Sequence, residues 1–159
     1  MILVTLGTHE LPFTRLLKEV EATVELLDIQ DEIIVQSGHT SYQSNRMSIY
    51  PFFTFQEMDA LYEKTDLLIT HAGTGSVVNG IKKNKKVIAA PRLKIYGEHN
   101  DDHQLQLVEA FETTGHILVW RDGDSLAEVW KQTENFAPQP FVSGRDQLLG
   151  LIDRFINEA

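Results

Sequence analysis

The chain predicts an α/β fold, a Rossmann-like doubly wound parallel sheet, on three observations. Short apolar runs recur along the sequence, each stopped by a glycine, a proline or a polar loop. Between them lie stretches whose apolar residues recur at helical spacing. The two kinds alternate throughout, with no internal repeat, low-complexity tract or linker. Alternation of this kind calls for parallel strands covered by helices on both faces, so residues 1–159 are expected to form a single domain.

Residues 2–6 form the first apolar run, ended by Gly7. From Phe13, the positions Leu16, Leu17, Val20, Val24 and Leu27 fall on one face of a helix. Ile33-Ile34-Val35 predicts the second strand, followed by a polar loop from Gln36 to Gln43. Residues 48–55 read as extended, with Pro51 restricting their pairing. Met58, Leu61 and Tyr62 mark a short helix, and Asp66 to Thr70 another strand. A helix over 75–83 stops at Asn84, a residue that tolerates the left-handed conformation. Val87 to Ala90 is a strand cut by Pro91. A helix over about 100–113 ends before Gly115, and Ile117-Leu118-Val119 supplies the next strand. Leu126 to Trp130 and residues 145–157 are the closing helices.

Composition narrows the function classes. Fourteen Lys+Arg against 23 Asp+Glu give a net charge of −9, which argues against a nucleic-acid partner. Without cysteine, disulfides, thiolate catalysis and Cys-ligated zinc are excluded. Met1 to Leu6 is too short for a signal-peptide core and has no basic leader, and no apolar run approaches a membrane span. The expected location is the cytoplasm.

Two segments carry chemistry. His71-Ala72-Gly73-Thr74-Gly75-Ser76 follows an apolar run and leads into a helix. A strand, a Gly-rich turn and a helix start gather unpaired N–H groups and the positive helix end, which suits a diphosphate. Leu6-Gly7-Thr8-His9 repeats the pattern after the first strand, so two strand ends could grip the same anion. Asp101-Asp102-His103-Gln104 opens a later helix on the same sheet edge, where ligands bind. Gln104 shares the sheet-facing side of that helix with Leu107, Val108 and Phe111, and its amide can both donate to and accept from a sugar diol. Together they form the layout of a nucleotide-sugar site.

Plainer readings stand beside each motif. The glycines equally serve a tight turn, and neither the dinucleotide fingerprint nor a Walker A loop is present. Asp101 or Asp102 equally caps a helix, leaving Gln104 solvated. His99 and His103, four apart, invite a metal, but Asn100 stands where a zinc-protease helix carries glutamate. Lys82, Lys83, Lys85 and Lys86 gather at a helix C-terminus, which favours cations, or offer a patch to lipid or an acidic partner. Ser76 lacks the G-x-S-x-G context of a hydrolase nucleophile.

Val4 to Glu10 with Pro12-Phe13, Thr70 to Ser76, Pro91 to His99 with Asp102-His103-Gln104, and Gly115-His116 together resemble the family 28 glycosyltransferase C-terminal domain. The likeness is to small bacterial subunits of exopolysaccharide and capsule synthesis, relatives of the catalytic subunit of the eukaryotic two-chain N-acetylglucosaminyltransferase. It implies the donor-binding half of a GT-B glycosyltransferase, inverting, using a UDP-sugar without metal or other cofactor. Gly7, Thr8, Gly73, Thr74, Gly75 and Ser76 would lie along the diphosphate. Gln104, with Asp102 and His103, would hold the sugar, and Phe53 to Phe55 would border the uracil. Asn79 stands where the family usually carries a glutamate for the ribose, and Asn84 where glycine is common.

One lobe is half of such a cleft. The resemblance implies a membrane-anchored partner that recruits a lipid-linked saccharide acceptor and contributes the base, holding this chain at the inner membrane face. His9 is the candidate base within the chain. In the last predicted helix, Leu148, Leu149, Ile152, Phe155 and Ile156 share one side, for core packing or for partner docking. The alternatives are a non-catalytic nucleotide-sugar-binding or scaffold subunit, and a homodimer whose second copy supplies the missing wall. Galactose, glucuronic acid and N-acetylglucosamine all fit.

Overall fold

The computed structural model describes residues 1–102 and 104–140. The predicted helix over 145–157 and its apolar side lie outside the described residues, as does His103. The elements run β1 (Ile2–Thr5), α1 (Thr14–Leu26), β2 (Ile33–Gln36), β3 (Ser48–Tyr50), α2 (Phe55–Lys64), β4 (Leu67–Thr70), α3 (Thr74–Lys82), β5 (Lys86–Ala89), a 3-10 turn (Lys94–Tyr96), α4 (Gln104–Thr113), β6 (Leu118–Val119) and α5 (Leu126–Gln132).

The sheet has six strands in the order β3-β2-β1-β4-β5-β6, and its pairings are parallel. That order reverses direction between β1 and β4, which makes their carboxyl ends the topological switch point where a crevice opens. The two glycine turns follow these two strands. Thr5 and Thr70 stand opposite each other there, and the Thr5 hydroxyl donates to Thr70 at 2.9 Å.

The strands are apolar without alternation because both faces are covered. Ile2, Val4, Leu67, Ile69 and Ile88 pack with Leu16, Leu17, Val20 and Val24 of α1 and with Leu126, Val129 and Trp130 of α5. Leu3, Leu68, Val87 and Ala89 face the other way, against Tyr62, Val77, Ile81, Leu107, Val108 and Phe111. Burying a Leu or Phe side chain contributes about 1.5–3 kcal/mol. The apolar strand positions therefore fix the register that aligns the two turns.

Two elements depart from the sequence expectation. The extended run ends at Tyr50, which pairs with Gln36, and Phe55 already begins α2. The cause is a capping box: Thr54 accepts from the Glu57 N–H at 3.1 Å, and the Glu57 carboxylate accepts from the Thr54 N–H at 2.8 Å. Pro51 lies beyond the strand, so it costs no pairing. Helix α4 starts at Gln104 rather than near residue 100. The Asp102 carboxylate accepts from the Lys94 N–H at 3.1 Å and so ties the preceding loop. Asn84 does adopt the left-handed conformation, with φ 56°.

Candidate functional site

Four loops meet at the switch point: residues 6–13, 36–40, 71–76 and 91–104. The chain turns at Gly7 with φ 75°, a conformation that costs other residues about 1–2 kcal/mol. A further constraint on Gly7 is steric. The His71 ring lies between Gly7 and Gly73; a Cβ on Gly7 would stand 2.5 Å from His71 Cε1, and one on Gly73 would stand 2.7 Å from Nε2. The preceding Ala72 is itself left-handed, at φ 67°, so the turn carries backbone strain.

His71, to which the sequence motif gives no role, stands against both glycine turns. Its Nδ1 is sealed from solvent with no partner. A buried orphan N–H is costlier than an orphan acceptor, so the proton belongs on Nε2. Burial, then Arg92, His99 and His9, push its pKa down to about 3. At neutral pH His71 is therefore an uncharged N–H donor beside both glycine turns.

The two turns differ in what remains available. The Gly7 N–H donates to Gln36 Oε1 at 3.0 Å, while Gln36 Nε2 donates to the carbonyls of Gly7 and Pro51, both at 3.0 Å. The first turn thus spends its leading amide within the protein, a partner invisible in a segment read as the start of a polar loop. Gly73 is the N-cap of α3 and makes no side-chain capping bond. The first-turn amides of Thr74, Gly75 and Ser76 start a helix whose dipole favours an anion. Across a groove, the start of α2 is already satisfied by Thr54 and Glu57.

That groove encloses about 430 Å³ and is lined by Phe53, Phe55, Met58, Asp59, Tyr62, Gly75, Ser76 and Asn79. It unites the predicted nucleoside residues Phe55 and Asn79 with the predicted diphosphate residues Gly75 and Ser76. Phe55 is 87% exposed, an aromatic face at the rim. Tyr62 is buried beneath, and burial raises the pKa of its phenol against a smaller lowering by the Ser76 side chain.

On the other side of the switch point, Gln104 Oε1 accepts from the Arg92 N–H at 3.3 Å, so Gln104 is held at the mouth rather than free in solvent. His9 stacks on His99 with ring centroids 4.6 Å apart. His9 Nδ1 accepts from the Leu11 N–H at 3.0 Å, which leaves the proton on Nε2. Burial, with His99 and Arg92, lowers its pKa. His9 is therefore neutral, with Nδ1 engaged by the backbone and Nε2 as its second nitrogen. His99 Nδ1 accepts from the Asp101 N–H at 3.3 Å. Among the described residues no group of three or more His, Asp or Glu side chains gathers within reach of a metal. Nor is any described helix long and apolar enough to cross a membrane.

The lysines of the α3 end are engaged. Lys83 pairs with Asp59 at 3.1 Å and with Glu63 at 2.5 Å, and Lys85 and Lys86 donate to the carbonyls of Glu63 and Thr133. They tie the end of α3 to α2 and the start of β5 to the end of α5 rather than forming a bare basic patch.

An open parallel sheet with an uncapped helix at its switch point is a Rossmann-like fold, and the solved structures that share it are GT-B glycosyltransferases. Calicheamicin glycosyltransferase CalG4 superimposes with a TM-score of 0.62 at 13% identity, over 98% of this chain and 38% of that one. The solution structure of ALG13 gives 0.60 at 20% identity, over 92% and 94%. The chain belongs to the glycosyltransferase family 28 C-terminal domain, which it matches over residues 1–147. It is similar to the UDP-N-acetylglucosamine transferase subunit ALG13 of Yarrowia lipolytica, 29% identical over 112 residues, or 70% of this chain and 55% of that protein. It spans about half or less of the length of the curated relatives it matches first.

Proposed function

We propose that this chain is the donor-binding subunit of a UDP-sugar glycosyltransferase that acts on a lipid-linked saccharide together with a membrane-anchored partner. The observation that carries the reading is the continuous groove from Phe55 and Asn79 to the uncapped start of α3. Uracil stacks at Phe53 and Phe55, the ribose reaches Asn79, and the diphosphate lies on the amides of Thr74 to Ser76. Thr8 and the His71 Nε2–H face the phosphates from the Gly7 side. The sugar reaches Gln104 and Asp102; His103, the third residue of the sequence motif, lies outside the described residues.

Transfer breaks the bond from the anomeric carbon to the diphosphate oxygen as the acceptor hydroxyl attacks from the opposite face. The α3 terminus and the His71 donor stabilise charge on the departing UDP without a metal. The acceptor proton goes to a base. Because the Leu11 N–H engages His9 Nδ1, the partner subunit is the better source of that base. Likeness to the ALG13 subunits supports the two-chain arrangement and makes N-acetylglucosamine the first sugar to test. The exopolysaccharide or capsule setting, and a place at the inner membrane face, rest on the sequence resemblance alone.

The test is reconstitution of the chain, a co-expressed membrane partner, UDP-N-acetylglucosamine and a lipid-linked acceptor. Transfer should fall at least a hundredfold in Gln104→Ala while UDP binding persists; undiminished transfer would remove Gln104 from the site. The engagement of His9 Nδ1 by the Leu11 N–H also favours a second reading, a non-catalytic nucleotide-sugar-binding subunit. UDP binding without turnover in every reconstitution would favour it, and absence of UDP binding would sink both.

A further inference from the structure

The loops 6–13 and 91–102 lie far apart in the sequence and meet through buried charges. Arg92 is 1% exposed. Its Nη2 donates to the Leu6 carbonyl at 2.6 Å, and its Nη1 donates to the carbonyls of Leu11 at 2.6 Å and Glu98 at 3.0 Å. One guanidinium therefore pins both ends of the Gly7–Glu10 turn to the second loop. Arg15, at the start of α1, grips the Glu98 carboxylate with two bonds of 2.9 Å and reaches the Pro91 carbonyl at 3.3 Å. Its guanidinium lies among the rings of Phe13, Tyr96 and Trp120, at 5.4, 4.8 and 4.8 Å from their centroids. Glu98 also accepts from the Leu93 N–H at 3.0 Å. The backbone so held presents the N–H groups of Arg92 and Lys94 to Gln104 and Asp102.

We propose that Arg15, Glu98 and Arg92 are positioning residues that hold the first glycine turn and the Gln104-bearing loop as one unit, so that the sugar end of a nucleotide-sugar meets a preformed wall. A bidentate Arg–carboxylate pair is geometrically specific, and buried networks of this kind act cooperatively. Fixing the wall in advance avoids ordering it at each binding event. The ligand part of the proposal rests on the donor-site reading above; the mechanical part does not.

The test uses Glu98→Gln, which keeps shape but removes the charge, and Arg15→Lys, which keeps charge but loses the fork. Amide hydrogen exchange comes first, because it needs no ligand. In Glu98→Gln, exchange should rise about tenfold at Lys94 and, across the interface, at Leu11, with Ile69 and Val77 unchanged; Arg15→Lys should do the same more weakly. Acceleration confined to 91–98, or spread evenly over the sheet, would overturn the proposal. With ligand, calorimetry should give UDP affinity within twofold of wild type. The additional affinity for UDP-N-acetylglucosamine over UDP should fall about tenfold, and loss of both together would mark a merely structural role. Wild-type protein that binds no UDP defeats the donor-site reading, yet the exchange result still decides whether the two loops move as one.

Discussion

The two glycine turns look alike in sequence and do different work. Gly7-Thr8 and Gly73-Thr74 each follow an apolar strand, and the strands are neighbours in the sheet. The Gly7 amide is consumed by Gln36, and the carbonyls flanking the turn are consumed by Arg92. Gly73 begins a helix with no side-chain cap. The first is a wall and the second a seat, with the His71 ring filling the space between them. A glycine after a strand marks a close approach; only the three-dimensional surroundings say whether the approaching group is a ligand or the protein itself.

The largest expected effect tests the group between the turns. His71 has a folded pKa of about 3 against an ordinary 6.5. The unfolded chain therefore takes up the proton first. Stability is complete above about pH 6.5 and is lost as pH falls toward 3, by roughly 4 kcal/mol from this group alone. Urea unfolding followed from pH 7 to 3 measures the slope, and His71→Gln should flatten it. An unchanged slope would mean that His71 is not sealed between the glycines.

Next come the glycines themselves. Gly7→Ala meets both the left-handed backbone and the His71 ring, so a loss of about 2–4 kcal/mol is expected. Gly73 has ordinary angles, φ −67° and ψ 138°, so Gly73→Ala meets the ring alone and should cost about 1–3 kcal/mol. The comparison predicts the opposite ranking for ligand. Calorimetry with UDP should show the greater affinity loss per unit of stability lost in Gly73→Ala. Equal losses would make the two turns equivalent.

A smaller gain tests the groove. Asn79→Glu supplies a charge-assisted pair of bonds to a ribose diol, so uridine should bind about five- to tenfold tighter. The gain should vanish with the 2′-deoxy compound; no gain with uridine would remove Asn79 from the ribose. The smallest effect concerns the two helix starts beside the groove. Thr54→Ala uncaps α2 and should lower stability by about 1 kcal/mol in thermal unfolding without changing UDP affinity tenfold.

Much of the fold was legible because strand and helix patterns are properties of near neighbours. The runs at 2–6 and Asp66 to Thr70 and the periodicity from Phe13 needed no distant information. The start of α2 departs from the extended run expected over 48–55 because Thr54 and Glu57 form a capping box, a spacing present in the chain. Of the site, the Gly73 turn and the grouping of Phe55 with Asn79 were anticipated. Gln36, Arg92 and Glu98 were not, because each acts on backbone groups far away in sequence, and no local pattern marks such a partner.

The sequence by itself determined the alternation of strands and helices, the strand faces and the positions of the tight turns, since side-chain period and glycine placement act over a few residues. The tertiary structure alone decided which turn stayed open. Gln36 reaches Gly7 across 29 positions and Arg92 reaches Leu6 across 86. Buried polar groups must find partners wherever the fold brings them, and those long-range bonds engage the backbone of one turn while the start of α3 keeps no side-chain cap.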